Sequence, residues 1–102
     1  MEIKVDIFRN KMVISANGSS RTLTPKANFT THRLLVGNFH EAEECLREGL
    51  KEIGVRGFLR FRKPILHVFP KEMSEGGLSS IEQRVYRELG LCVGAKETVI
   101  HE

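Results

Sequence analysis

A chain of 102 residues suits one small domain built around one core. Its 40% hydrophobic and 28% charged residues are ordinary for a globular protein, and no apolar run approaches the roughly 20 residues that cross a bilayer. The formal charge is a mild +3, and the N-terminus alternates polar and apolar residues with no secretory apolar region, so a cytoplasmic location is expected.

The first third reads as β-structure. Ile3, Val5 and Ile7 alternate with Glu2, Lys4 and Asp6, the period of a strand with one covered face. Arg9-Asn10-Lys11 makes a tight polar turn, since Asn tolerates left-handed backbone, and Met12-Val13-Ile14 returns as a second strand. Asn17-Gly18 is a strong hairpin signal, and Thr22-Leu23-Thr24 forms a short third strand ended by Pro25. An antiparallel meander over residues 1–24 follows.

Residues Pro25 to Arg33 read as loop, and Leu34-Leu35-Val36 is apolar but too short to classify. Asn38 and Glu41 fit an N-cap with an acidic residue three positions on. The helix that follows, Phe39 to Ile53, lines up Phe39, Ala42, Leu46, Leu50 and Ile53, with Gly54 as its natural C′ residue. Next, Arg56, Arg60, Arg62 and Lys63 fall within eight residues, interleaved with Phe58 and Phe61. Such a pattern can contact nucleic acid or an anionic membrane, but no nucleic-acid motif accompanies it, and a solvated connector docking its phenylalanines on the core is the plainer reading.

Ile65-Leu66-His67-Val68-Phe69 is a nearly continuous apolar run, predicting a parallel strand buried on both faces and stopped by Pro70. A loop from Lys71 to Gly77 leads to Ser79-Ser80-Ile81-Glu82, a capping box. The second helix, Ser80 to Leu91, carries Ile81, Val85 and Leu89 at four-residue spacing, ends near Gly94-Ala95, and leads to a last strand at Thr98-Val99-Ile100. The order β-β-β-α-β-α-β predicts one α/β domain over 1–102: a five-stranded mixed sheet with two helices, its 34–102 part running helix, strand, helix, strand. This is the order of a ribonuclease H-like or actin-like half-domain.

Three segments together resemble MreB-type bacterial actins: Leu34 through Leu46, Pro64 through Pro70, and Leu78 through Val85 with Gly94-Ala95-Lys96-Glu97. A closer resemblance, to the YjaA-like family of small stress-induced enterobacterial proteins, rests on Arg9-Asn10, Arg33 through Phe39, Ala42-Glu43, and Glu72 through Arg84. What these resemblances imply is an actin-like first-subdomain fold in a bacterial protein, with no established activity.

The residues themselves argue against an enzyme. In the turn Asp6-Ile7-Phe8-Arg9-Asn10-Lys11, where the actin resemblance implies a phosphate loop, the glycine and hydroxyl residues are missing, and Ile7 and Phe8 hinder backbone approach to a phosphate. Glu82 stands where, by that resemblance, a carboxylate positions the attacking water; its chemistry beside Ser79 is that of a helix cap. Ribonuclease H-like sites cluster carboxylates around two metal ions, whereas Asp6 is the chain's single aspartate. His32, His40, His67 and His101 show no metal-ligand spacing, and Cys45 and Cys92 read as two reduced, partly buried thiols on the helices. No catalytic residue, cofactor or metal is expected.

Two functional expectations remain. The first is a non-enzymatic interaction domain that self-associates or docks on a partner protein. Its candidate surface is Arg56, Phe58, Arg60, Arg62, Lys63, Glu72, Glu75, Gly76, Gly77 and an edge strand. The second is a degenerate nucleotide-, anion- or nucleic-acid-binding protein using Asp6, the Gly76-Gly77 loop at a helix start, and the Arg56–Lys63 segment.

Overall fold

Alternation decides the sheet. In a computed structural model, which describes residues 2–16, 18–54, 63–73 and 76–102, Ile3, Val5 and Ile7 of β1 (Glu2–Phe8) turn to the buried side. Met12, Ile14 and Ala16 of β2 (Lys11–Ala16) do the same. The two-residue turn between them places Asn10 at φ 49°, the left-handed geometry its side chain tolerates. That side chain also anchors the next loop, because Asn10 Oδ1 accepts from Thr30 N and Asn10 N donates to Thr30 Oγ1, each at 2.9 Å. The third strand, β3 (Ser19–Leu23), starts earlier than its apolar signal, because pairing with β2 carries the polar Ser19 to Thr22 into the ladder.

The element order is the expected one, completed by α1 (Phe39–Glu52), β4 (Ile65–Pro70), α2 (Ser80–Cys92) and β5 (Glu97–Ile100). Across the sheet the strands run β3-β2-β1-β4-β5. β2 is antiparallel to both its neighbours, while β4 pairs in parallel with β1 and with β5. The result is a mixed α+β fold with a five-stranded mixed sheet and two helices.

Both helices pack on the same side of the sheet, and one hydrophobic cluster joins them to its inward residues. Two glycines set how closely they approach. A methyl at Gly49 of α1 would overlap the Ile14 side chain, and one at Gly90 of α2 would overlap Thr98 of β5. Phe29, Leu35 and Val36, from the long connection before α1, plug one end of this core, with Gly37 and Asn38 both donating to the Phe29 carbonyl at 2.9 Å.

Three expectations change. β4 is not buried on both faces: Leu66, Val68 and Pro70 are buried, while Ile65, His67 and Phe69 are half-buried on the side away from the helices. In α2 the inward residues are Tyr86, Leu89 and Gly90, with Ile81 65% exposed and Val85 at the margin. The four-residue spacing from Ile81 drifts off the packed stripe, and the Tyr86 ring fills the space. Cys92 is exposed rather than partly buried, because it falls at the outer end of α2, while Cys45 is buried; both are free thiols.

Candidate functional site

Because both helices lie on one side, the other sheet face is uncovered among the described residues. It presents Phe8, Val13, Ile65, Phe69 and Val99, all half-buried, together with Lys4, Asp6, Lys11, His67 and His101. The pairing register builds this surface in rows. Val13, Asp6 and Phe69 lie side by side across β2, β1 and β4, and Lys4, His67 and Val99 across β1, β4 and β5.

Three lysines rim the two phenylalanines. Lys11 Nζ sits 4.5 Å from the Phe8 ring centre, and Lys4 and Lys71 each place Nζ 5.2 Å from that of Phe69. These are cation–π distances. Asp6 sits between Lys4 and Lys71, with its oxygens 3.7 Å and 3.8 Å from their nitrogens. Only 13% of its side chain is exposed, and Oδ1 is buried without a hydrogen-bond partner. The row explains this: Val13 on one side and Phe69 on the other cover the carboxylate. Asp6 is therefore half-hidden within the face rather than the solvent-facing strand residue that alternation alone predicts.

A polar chain crosses the same face. His67 Nε2 is 2.6 Å from Glu2 Oε1, and His67 Nδ1 is 2.9 Å from His101 Nε2. The His67 and His101 ring centres are 5.1 Å apart, so the two nitrogens lie nearly on the line joining the rings. That is the geometry of a shared proton, whereas lone pairs holding a cation must converge away from that line. His101 also stacks on Phe69, with centres 4.3 Å apart and planes 7° from parallel. Sequence spacing gave no sign of this chain, since its members are 65 and 34 residues apart.

The residues singled out from the sequence scatter. Arg56, Phe58, Arg60, Arg62 and Glu75 lie outside the described residues; Lys63 is exposed ahead of β4. Glu72 is engaged within the chain, accepting from Arg9 N at 2.6 Å and lying 3.5 Å from Arg9 Nε. Gly76 and Gly77 both have positive φ, as a glycine turn requires, but the anion beside them is the chain's own. Glu102 Oε1 accepts the Leu78 N–H at 2.7 Å and would touch a methyl placed on Gly77.

The two helix starts also differ. Ser79 and Glu82 form a reciprocal capping box at α2, at 3.2 Å and 3.1 Å. Asn38 holds the N-cap position of α1 without capping it, because its amide is turned away to donate to the Asn28 carbonyl at 2.9 Å. Glu41 lies in that helix's first turn, where its charge suits the helix dipole.

One further feature belongs to the surface. A cleft of about 440 Å³ lies between the β3 end and α1, lined by Leu23, Thr24, Pro25, Glu44, Cys45 and Glu48 among others. Burial pushes the Cys45 thiol up to about 11, so this cleft contains a protonated, unreactive sulfur. Among the described residues, no group of three or more His, Cys, Asp or Glu is placed to hold a metal ion, and no helix is long and apolar enough to cross a membrane.

No family model matches the chain. It is 33% identical over 89 residues to the uncharacterized protein YjaA of Escherichia coli (strain K12), an alignment covering 83% of this chain and 70% of that protein. The chain belongs to the YjaA family. Within the YjaA family the matched region takes in most of the chain, so the relationship is one of the whole domain rather than of a single motif. The relative's name assigns no activity.

Proposed function

We propose that the chain is a non-enzymatic interaction domain that docks on an acidic protein surface through the open sheet face. The observation that carries this reading is the face itself: five half-buried apolar residues that no other element covers among the described residues, rimmed by Lys4, Lys11 and Lys71. An uncovered apolar patch with a polar rim is the usual form of a protein-binding surface. Charge selects the occupant. A second copy would set one lysine rim against another in a chain of net charge +3, whereas an acidic partner meets complementary charge.

The same reading places the fold in the ribonuclease H-like and actin-like class, as a half-domain. The supporting feature is the strand order β3-β2-β1-β4-β5 with β2 alone reversed. A cytoplasmic location and a role under stress belong to the reading as well. The alternative, a nucleotide or anion site, has less support, since the Leu78 N–H beside Gly76-Gly77 already serves Glu102.

The test is an amide-shift titration with a synthetic peptide that alternates Asp or Glu with Leu or Phe. Shifts are expected at Lys4, Phe8, Lys11, Phe69 and Lys71, weakening as salt is added. A dimer in sedimentation whose interface is this face, or stronger shifts there with single-stranded RNA than with the peptide, overturns the reading; so does a peptide that shifts nothing on it.

A further inference from the structure

The polar chain across the open face ends at the last residues of the sequence. Glu2 is an acceptor in its ionised form, so the His67 proton belongs on Nε2 and Nδ1 is left to accept from His101 Nε2–H. His101 N donates to the Val68 carbonyl at 2.9 Å, its ring lies on Phe69, and Glu102 Oε1 takes the Leu78 N–H. His101 and Glu102 thus form a strap tying β4 and the open face to the approach of α2.

Counting protons shows how this strap is held. With both rings neutral, each of the two facing nitrogens has one role, donor or acceptor. One added proton fits on the outer nitrogen of His101 and leaves the chain intact. A second puts hydrogens on both facing nitrogens, and two cationic rings then oppose each other across a former hydrogen bond. The charged groups around the pair come from several elements. Glu2 of β1 favours the cationic His67, while Lys4, its register neighbour, and Lys71 beside Phe69 oppose further charge. Asp6 is flanked by those two lysines, and Glu97 and Glu102 are exposed at the β5 side.

We infer that Glu2, His67 and His101 form a proton-operated latch, closed with at most one added proton and opened by the second. Opening lifts His101 from Phe69 and releases the Leu78 N–H from Glu102. The latch stands on the geometry alone; its use as control of the docking face rests on the docking reading, because Phe69 is the ring the partner would meet.

Exchange protection of the His101 and Leu78 amides, followed by NMR on the full chain between about pH 8 and 5, where imidazoles titrate, tests it. Both amides should lose at least tenfold in protection together as the imidazole nitrogens take up the second proton. His101→Phe keeps a ring on Phe69 without a nitrogen, and its protection should stay constant across the range. Glu102→Gln keeps an acceptor for Leu78 without a carboxylate, and it should still open. Flat protection in the unmodified chain, or an equal loss in His101→Phe, overturns the latch. Repeating the peptide titration at both ends of the range separates the two ideas. Peptide shifts with constant Leu78 protection sink the latch alone, and an opening latch with no peptide shifts sinks the docking reading alone.

Discussion

The same strands show two unlike faces. On the covered side Ile3, Val5, Ile7, Met12, Ile14, Leu66 and Val68 are essentially inaccessible and share one cluster with the helices. On the open side their chain neighbours Lys4, Asp6, Phe8, Lys11, Val13, His67 and Phe69 keep part of their surface in water and pair charges with rings. Backbone geometry is common to both, so whatever differs between them comes from side chains alone. The covered face carries stability; the open one is free to carry recognition.

Leu66→Ala should break that contrast most visibly, because it empties a fully buried site: about 2–5 kcal/mol of stability lost in urea unfolding. The covered layer also holds two groups that cannot accept charge. Burial raises the Cys45 thiol from 9.0 to about 11, and burial together with the nearby Glu82 raises the Tyr86 phenol. Both folded values lie above the unfolded ones, so stability is complete below about pH 9 and falls toward pH 11, by on the order of 2 kcal/mol for Cys45 alone. Unfolding midpoints across that range check the sign, and a flat profile would show that the core is wetter than described.

Gly90→Ala tests the close seat of α2, where the added methyl meets Thr98; the overlap should cost about 1–3 kcal/mol, and Thr98→Ala in the same chain should restore much of it. Ser79→Ala should cost about 1 kcal/mol through loss of the capping box, and Asn38→Ala measurably less, since Asn38 caps nothing. Smallest of all, Lys11→Ala on the open face should stay within about 0.5 kcal/mol in thermal unfolding while weakening the acidic peptide. A large stability loss there would mean that the two faces are less separate than their burial implies.

How far the sequence discloses this molecule follows from distance along the chain. The alternation of Ile3, Val5 and Ile7 and the Ser79–Glu82 box are local signals, and each appears where it was expected. The continuous run Ile65–Phe69 misled because hydrophobicity does not say which side the helices will take; Phe69 owes its half-burial to Lys4, Lys71 and His101, which come from elsewhere. Leu35 and Val36 were unclassifiable since a buried turn has no period. Asn38 looked like a cap because residue type cannot reveal that Asn28 offers its amide a better partner. The Glu2–His67–His101 chain needs strands β1, β4 and β5 assembled before it exists.

β3 is one of the two margins of the sheet. In β3, Ser19, Ser20, Arg21 and Thr22 are all exposed, and the strand contributes a single buried side chain, Leu23. A sheet grows into filaments only by adding strands at its margins, and a short margin of hydroxyls and a guanidinium offers little to a newcomer. Association through a face saturates when the face is filled, whereas association through an edge propagates. The β3 margin is therefore poorly suited to take on a further strand, even at concentrations where an apolar margin would drive polymerisation.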